Sequence, residues 1–414
     1  MNLRATAFDA TLGLDCLAIP AAYIVSVSAN DLAAPQWFAA GDVVFPAMLA
    51  AVESSVERVS LESYIFSPGN LSLRFAGALQ AAAARGVKVR VLVDGLGSME
   101  LPDSFWEPLR QAGVGVKQFN PLSFGRLGIR NHRKLLVCDG RVAFIGGFNI
   151  ADEYEGDGVT RGWRDVGVRV GGALATKLEA SFDRLFALAD FKQKLFVRLR
   201  HTGAKKALIS PAEQLLLSGP GRGASPLCRS LRRDLKRAAR AVRENGQAPL
   251  VRIVVAYFLP TWRLRRDLQR VARLGGRVQL ILPAKCDVAL SHLAARSLYQ
   301  RMLRAGVELY EYQPQVLHAK LFIVNDAVYV GSANLDPRSL LLNYELMTRF
   351  ESASTLEPAG KLFDELLRHS QRIERAEWRK ARTWWAKLKE RFASFLLSRV
   401  DPYLSLRQWR SLPE

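Results

Sequence analysis

Residues 131–149, NHRKLLVCDGRVAFIGGFN, and residues 317–334, LHAKLFIVNDAVYVGSAN, decide how this chain folds. Each opens on His-x-Lys, enters an apolar strand, turns on polar residues, returns as a second apolar strand and closes on a glycine-rich turn with an Asn. Side chains alternate faces along a strand, so His132 and Lys134 share one side, as do His318 and Lys320. Asp139-Gly140 and Asn325-Asp326 suit the short primed turns of a β-hairpin. The return strands end at Gly146-Gly147-Phe148-Asn149 and Gly331-Ser332-Ala333-Asn334. Glycine there lets backbone come close to a ligand, and the amides are expected to face an anion.

Outward from these units the chain repeats itself. RVSLESYI (58–65), a helical stretch 71–84, Arg85-Gly86 and the strand VKVRVLVDG (87–95) are matched by VRIVVAYFLP from 251, a basic helix 263–274, Gly275-Gly276 and RVQLILP (277–283). The order strand, helix, glycine stop, strand predicts two βαβ-rich halves of one domain each. The expected divisions are 1–40 as an N-terminal extension, 41–191 as a first lobe, 192–250 as a basic inter-lobe segment, 251–350 as a second lobe and 351–414 as a basic amphipathic tail.

The 414 residues are 49% apolar and 24% charged, enough for a sizeable core and unlike a disordered or fibrous chain. Net charge is +20, which favours anionic partners. The segment 192–250 holds 14 Lys and Arg against three acids, with a basic helix at 229–242 that also carries apolar residues at core spacing. Four dispersed cysteines, with no Cys-x-x-Cys pair, suggest neither disulfides nor a zinc site. Leu12–Ala29 is apolar but contains Asp15 and Pro20, which suits a surface or packed segment better than a membrane span.

Two copies of His, Lys and Asn suit phosphodiester chemistry. One neutral imidazole attacks phosphorus, the other gives a proton to the leaving alkoxide, and they exchange roles in the second half-reaction. Lysines and asparagines hold the nonbridging oxygens. No metal or cofactor is called for, and no metal-spaced ligand set is present in the sequence.

The paired motifs, together with LESYIFSPG, RGVKVRVLVDGLGS, WRDVGVRVGG, YFLPTWRLRRDLQRVA and VGSANLDPRSLLLNYEL, resemble the phospholipase D superfamily over residues 40–350. Within it they are most like bacterial cardiolipin synthases of the short type without N-terminal spans. The resemblance implies an α/β fold of two duplicated α/β/α lobes, with one active site at their interface and a helical tail. It implies a catalytic set of His132, Lys134, Asp139, Asn149, His318, Lys320 and Asn334, with His132 as the nucleophile that becomes a phosphohistidine and His318 as acid and base. Asp165 and Glu345 are the candidates to hold the far ring nitrogens of the histidines. The second unit departs from the family pattern: Asn325 stands where the first has Asp139. Asp139 and Asn325 lie at hairpin turns, and a structural reading suits both, alongside Gly146, Gly147, Gly331 and Ser332 as turn residues.

The implied reaction condenses two phosphatidylglycerols to cardiolipin and glycerol. Alternatives are a phospholipase D hydrolase, a metal-independent nuclease or an inactive scaffold. Residues 229–243 contain no aromatic stacking platform, so nucleic acid is not the expected partner. An anionic phospholipid and a membrane surface are, reached peripherally from the cytoplasmic face of the bacterial inner membrane. The tail 371–414 carries 11 Lys and Arg against five acids and four of the eight tryptophans, a pattern of an interfacial helix or of a helix capping the core.

Overall fold

The computed structural model describes residues 34–121, 128–189, 205–210, 212–220, 225–246 and 248–410; Leu12–Ala29 lies outside them. Among the described residues no helix is long and apolar enough to cross a membrane.

Two mixed sheets form the frame. The first contains β1 (Gln36–Phe38), β2 (Arg58–Ser63), β3 (Lys88–Asp94), β4 (Gly115–Phe119), β5 (Leu135–Cys138), β6 (Val142–Gly146) and β7 (Gly167–Gly171), in the order β1-β7-β6-β5-β2-β3-β4. The second contains β8 (Lys205–Ser210), β9 (Glu213–Ser218), β10 (Leu250–Val255), β11 (Arg277–Pro283), β12 (Glu308–Tyr312), β13 (Lys320–Val324), β14 (Ala327–Gly331), β15 (Glu345–Phe350) and β16 (Ser370–Arg372), in the order β16-β12-β11-β10-β13-β14-β15-β9-β8. Six strands correspond one for one: β7-β6-β5-β2-β3-β4 in the first lobe and β15-β14-β13-β10-β11-β12 in the second. In both, three parallel strands lie beside an antiparallel hairpin and its neighbour.

The helices repeat as well. α1 (Gly41–Glu53), α2 (Asn70–Ala84), α3 (Asp103–Gln111) and α4 (Gly172–Leu188) serve the first lobe. α5 (Pro226–Asn245), α6 (Trp262–Arg273), α7 (Ala289–Arg304), the short α8 (Pro337–Leu341) and α9 (Ala353–Arg368) serve the second. α10 (Arg375–Ala381), α11 (Trp384–Phe395) and α12 (Asp401–Arg410) form the tail. Each lobe has its own core on one face of its sheet. A third core joins them: Val137, Ile145 and Val168 of the first sheet and Leu321, Ile323 and Val330 of the second pack with Leu178 and Phe182 of α4 and Phe363 of α9. Buried on both faces, β5 and, after Lys320, β13 read as unbroken apolar runs rather than alternating ones.

The sheets extend past the repeat. β8 and β9 come from the basic inter-lobe segment and β16 from the start of the tail, while β1 precedes the first lobe. β1, β16 and β8 are edge strands and β9 lies between β8 and β15, so together they cover backbone of the repeated strands that would otherwise be open to another strand. The basic helix α5 is also more structural than its charge suggests. Leu227, Leu231, Leu235 and Ala238 are buried, Asp234 binds Arg349 and Tyr329, and Arg232 and Arg237 pair with Asp267 and Glu351.

The first hairpin has a three-residue loop and the second a two-residue loop. Asp139, Gly140 and Asn325 adopt φ of +54°, +65° and +51°, the left-handed region that Asn, Asp and Gly tolerate.

Candidate active site

His132 and Lys134 lead into β5, and His318 and Lys320 into β13. Both approach segments are held by the opposite lobe. The His132 amide donates to Tyr344 O at 2.9 Å and Tyr344 N to Arg130 O at 2.9 Å. In mirror fashion, the His318 amide donates to Arg164 O at 2.7 Å and Arg164 N to Val316 O at 2.8 Å. Each lobe therefore lends the other a strand-like segment directly before its own candidate acid, Asp165 or Glu345.

The exchange continues in the side chains. Glu345 accepts from Nδ1 of His132 at 3.1 Å, and Asp165 accepts from Nδ1 of His318 at 2.7 Å. A carboxylate on Nδ1 fixes the tautomer of the neutral ring and leaves the lone pair on Nε2. The two imidazole centroids are 6.5 Å apart. That spacing leaves room for one phosphorus within about 3–3.5 Å of a reacting nitrogen on either side. His132 is 8% and His318 4% exposed, so both work in a largely water-excluded setting.

The lysines match too. Lys134 Nζ donates to its own His132 carbonyl at 2.7 Å, and Lys320 Nζ to the His318 carbonyl while also lying 2.7 Å from His318 Nδ1 and 3.0 Å from Nε2. Burial, with Lys320 adding repulsion, holds Lys134 well below the usual ammonium range; burial brings Lys320 down to about 8 against the pull of Asp165. Burial lowers His132 despite Glu345, and lowers His318 further, with Lys320 contributing. Burial raises the Asp165 carboxyl to about 7. Burial is the leading cause of every one of these shifts, so the site disfavours charge on its imidazoles, ammoniums and carboxyl alike.

Asn149 Oδ1 accepts from Ile65 N at 3.0 Å, and Asn334 Oδ1 from Tyr257 N at 3.4 Å, equivalent strand ends in the two lobes. Asn149 Nδ2 donates to the Tyr154 hydroxyl at 2.7 Å, which lies 3.2 Å from His318 Nδ1. The structure thus gathers His132, Lys134, Asn149, His318, Lys320, Asn334, Asp165 and Glu345 at one inter-lobe site.

Asp139 and Asn325 stand outside it. The Asp139 carboxylate accepts from the amides of Val56, Glu57 and Arg58, and Asn325 Oδ1 from Leu250 N. Each ties its hairpin tip to the start of the central strand, about 16 Å from the Lys end of its motif. In the glycine-rich turns Gly147 N donates to Val166 O and Ser332 N to Leu346 O, so these two amides do not face an anion. The role of these turns is close packing. A Cβ on Gly147 would stand 2.1 Å from the Asp165 carboxylate, and at the equivalent place Ser332 Oγ donates to Glu345.

Sequence reasoning missed the aromatic wall. Tyr64 is 4.9 Å from His132, and Tyr154, Trp163 and Tyr257 are 5.5, 5.9 and 6.3 Å from His318, centroid to centroid. Only the matched Tyr-Ile-Phe and Tyr-Phe-Leu strand ends hinted at part of it. It also missed the buried pairs Asp94–Arg130 and Glu62–Arg133, which brace the segment carrying His132.

Two duplicated lobes sharing a paired His-Lys site define the phospholipase D superfamily. The family model described as "Cardiolipin synthase, PLD-like domain" matches residues 48–185 and 249–367, and the chain belongs to that family. It is 30% identical to cardiolipin synthase 1 of Bacillus cereus over 378 residues, covering 88% of this chain and 71% of that protein. It is 32% identical to cardiolipin synthase B of Escherichia coli over 311 residues, 74% and 73% of the two chains. Among solved structures, a phosphatidylserine synthase from Haemophilus influenzae superposes with a TM-score of 0.69 at 12% identity, over 90% of this chain and 95% of that one. A polyphosphate kinase from Porphyromonas gingivalis gives 0.58 at 15% identity over 83% of this chain; this chain spans about half of that longer protein, 49%. The two structural likenesses show the fold alone. Family membership makes the chain a phospholipid enzyme of the phospholipase D superfamily.

Proposed function

We propose that the chain is a cardiolipin synthase-type phosphatidyltransferase acting on anionic phospholipid at the cytoplasmic face of the inner membrane. His132 Nε2 attacks the phosphorus of one phosphatidylglycerol. The P–O bond to the head-group glycerol breaks, and His318 gives that oxygen its proton, leaving phosphatidyl-His132 and free glycerol. His318 then takes the proton from a free hydroxyl of a second phosphatidylglycerol. That oxygen attacks phosphorus, the P–N bond breaks, and cardiolipin leaves with His132 restored. Lys134, Lys320, Asn149 and Asn334 hold the nonbridging oxygens, whose charge grows in each transition state. Asp165 and Glu345 orient the rings and stabilise whichever becomes imidazolium.

The observation that supports this reading best is the crossed pairing of two buried histidines with the carboxylates of opposite lobes, 6.5 Å apart, inside a family of cardiolipin synthase-like domains. The test is incubation with labelled phosphatidylglycerol in mixed micelles containing EDTA. Cardiolipin with an equal amount of glycerol supports it. Phosphatidic acid as the sole lipid product points to hydrolysis instead, and inertness toward lipid with cleavage of DNA points to a nuclease.

A further inference from the structure

The tail helix α11 is amphipathic in the reverse sense for a helix resting on a protein core. Trp384, Trp385, Leu388, Phe392 and Phe395 fall within an arc of about 100° at helical spacing. All five face outward, 49–63% exposed, with the two indole rings stacked at 3.8 Å. The opposite side packs against α7 with small or short residues: Ala393 is buried and Ala386 half-buried. Glu390, also on that side, is buried in an ion pair with Arg382. Trp378 of α10 anchors the tail, buried 4.8 Å from the Tyr299 ring, with the guanidiniums of Arg296 and Arg382 at 4.7 and 4.9 Å. The helix is thus held firmly while its largest apolar groups are left in water.

Cations border the exposed stripe. Arg391 and Lys387 lie along one edge by helical position and Lys389 along the other, all exposed. The patch also adjoins the site. Leu397, just past the end of α11, and Asp401, the first residue of α12, line a small cavity with Tyr257 and Asp336, and Asp401 pairs with Arg338 of α8 at 2.6 Å. Tyr257 is the residue whose amide donates to Asn334 and whose ring stands beside His318.

We infer that the outer face of α11 is the docking surface for an anionic bilayer, into which Trp384, Trp385, Leu388, Phe392 and Phe395 insert while Lys387, Lys389 and Arg391 meet lipid phosphates. The choice of occupant rests on the phospholipid reading of the site. Charge complementarity supports it: an apolar stripe rimmed by cations on both edges fits a layer of hydrocarbon beneath anionic head groups. The geometry also gives the tail a purpose, since a membrane held at α11 would sit near the segment whose Leu397 and Asp401 line a cavity with Tyr257, the residue beside His318.

The experiment is vesicle flotation of the full chain, which reads binding without turnover and so separates a failure of docking from a failure of the proposed reaction. Vesicles of phosphatidylcholine with and without phosphatidylglycerol are compared at two salt concentrations. Expected are stronger binding with phosphatidylglycerol, weakening with salt, and a blue shift of tryptophan emission on the vesicles. Trp385→Glu combined with Phe392→Glu, at exposed positions and with an unchanged melting temperature, is expected to weaken vesicle binding about tenfold or more. Undiminished binding of that variant overturns the inference. So does loss of a concentration-dependent dimer with vesicle binding intact, which would assign the face to a second copy. Emission in the unaltered chain that is already blue and indifferent to vesicles, the sign of a face covered by the chain's own N-terminal segment, overturns it too.

Discussion

Glu345 begins a strand of the second lobe, yet its carboxylate accepts from Nδ1 of His132 in the first, at 3.1 Å. Asp165 and His318 repeat the arrangement in the other direction at 2.7 Å. Neither lobe alone contains a complete histidine with its orienting acid, so duplication here produced one site rather than two.

This crossing makes the pH profile informative. In the proposed reaction His132 acts as the neutral ring, and burial keeps it neutral to below the ordinary histidine range, so kcat/KM is expected to rise with pH only below about 6.5. The Asp165–His318 pair shares one exchangeable proton, and burial raises the Asp165 carboxyl to about 7. Below that pH the pair as a whole holds the proton and can serve as the acid; above it the proton is lost and kcat/KM falls. Asp165→Asn removes the anion that favours the imidazolium, so the descending limb is expected to move to lower pH. An unmoved limb would mean that another group supplies the proton.

The nucleophile is separable from the acid. His132→Ala is expected to abolish turnover and covalent labelling together. His318→Ala slows turnover by about 10²–10⁴-fold while a phosphatidyl adduct accumulates on His132. Mass spectrometry of acid-labile adducts checks this, and an adduct mapped to His318 in the unaltered protein reverses the assignment.

The motif's third polar position is expected to stabilise the fold and to take no part in the reaction. Asp139→Ala strands three amides at a partly exposed tip and is expected to cost about 1–2 kcal/mol of stability, read from the urea midpoint, while kcat on the remaining folded enzyme holds. Asn325→Asp keeps an acceptor for Leu250 N and is expected to change activity by less than about twofold. Lys320→Ala is expected to lose about 10²-fold or more in kcat. Equal losses in Asn325→Asp and Lys320→Ala would place the turn in the chemistry.

The hairpins, the two lobes and the eight polar side chains of the site were legible because each is a local pattern written twice: His and Lys at strand period, Asn after a small-residue turn, an acid further on. The crossed pairing was not legible, since nothing in the spacing of Trp163-Arg164-Asp165 says which histidine it reaches. The added strands β8, β9 and β16 were hidden for another reason. They are short, lie outside the repeat and take their place from the open edges they cover. In the tail, Trp378 and Trp385 read alike along the chain, and only packing against Tyr299 makes one an anchor and leaves the other outside.

Gly147 and Ser332 occupy equivalent places, and their difference gives a last expectation. Behind Gly147 there is no room: an added Cβ would stand 2.1 and 2.4 Å from the two Asp165 carboxylate oxygens. Gly147→Ala is therefore expected to push Asp165 off His318, lowering kcat more than it raises KM and moving the descending pH limb as Asp165→Asn does. Ser332 has room and uses it, donating from Oγ to Glu345 and accepting from Leu346 N at 3.0 Å. Ser332→Ala keeps the shape and loses those bonds, a cost of about 1 kcal/mol in stability with a modest loss of rate. The contrast tests whether the small turn residues serve the carboxylates behind the histidines. If Gly147→Ala lowers the melting temperature but leaves the limb of the surviving enzyme where it was, the glycine is needed for folding alone, and Asp165 is held at His318 by something other than the space beside it.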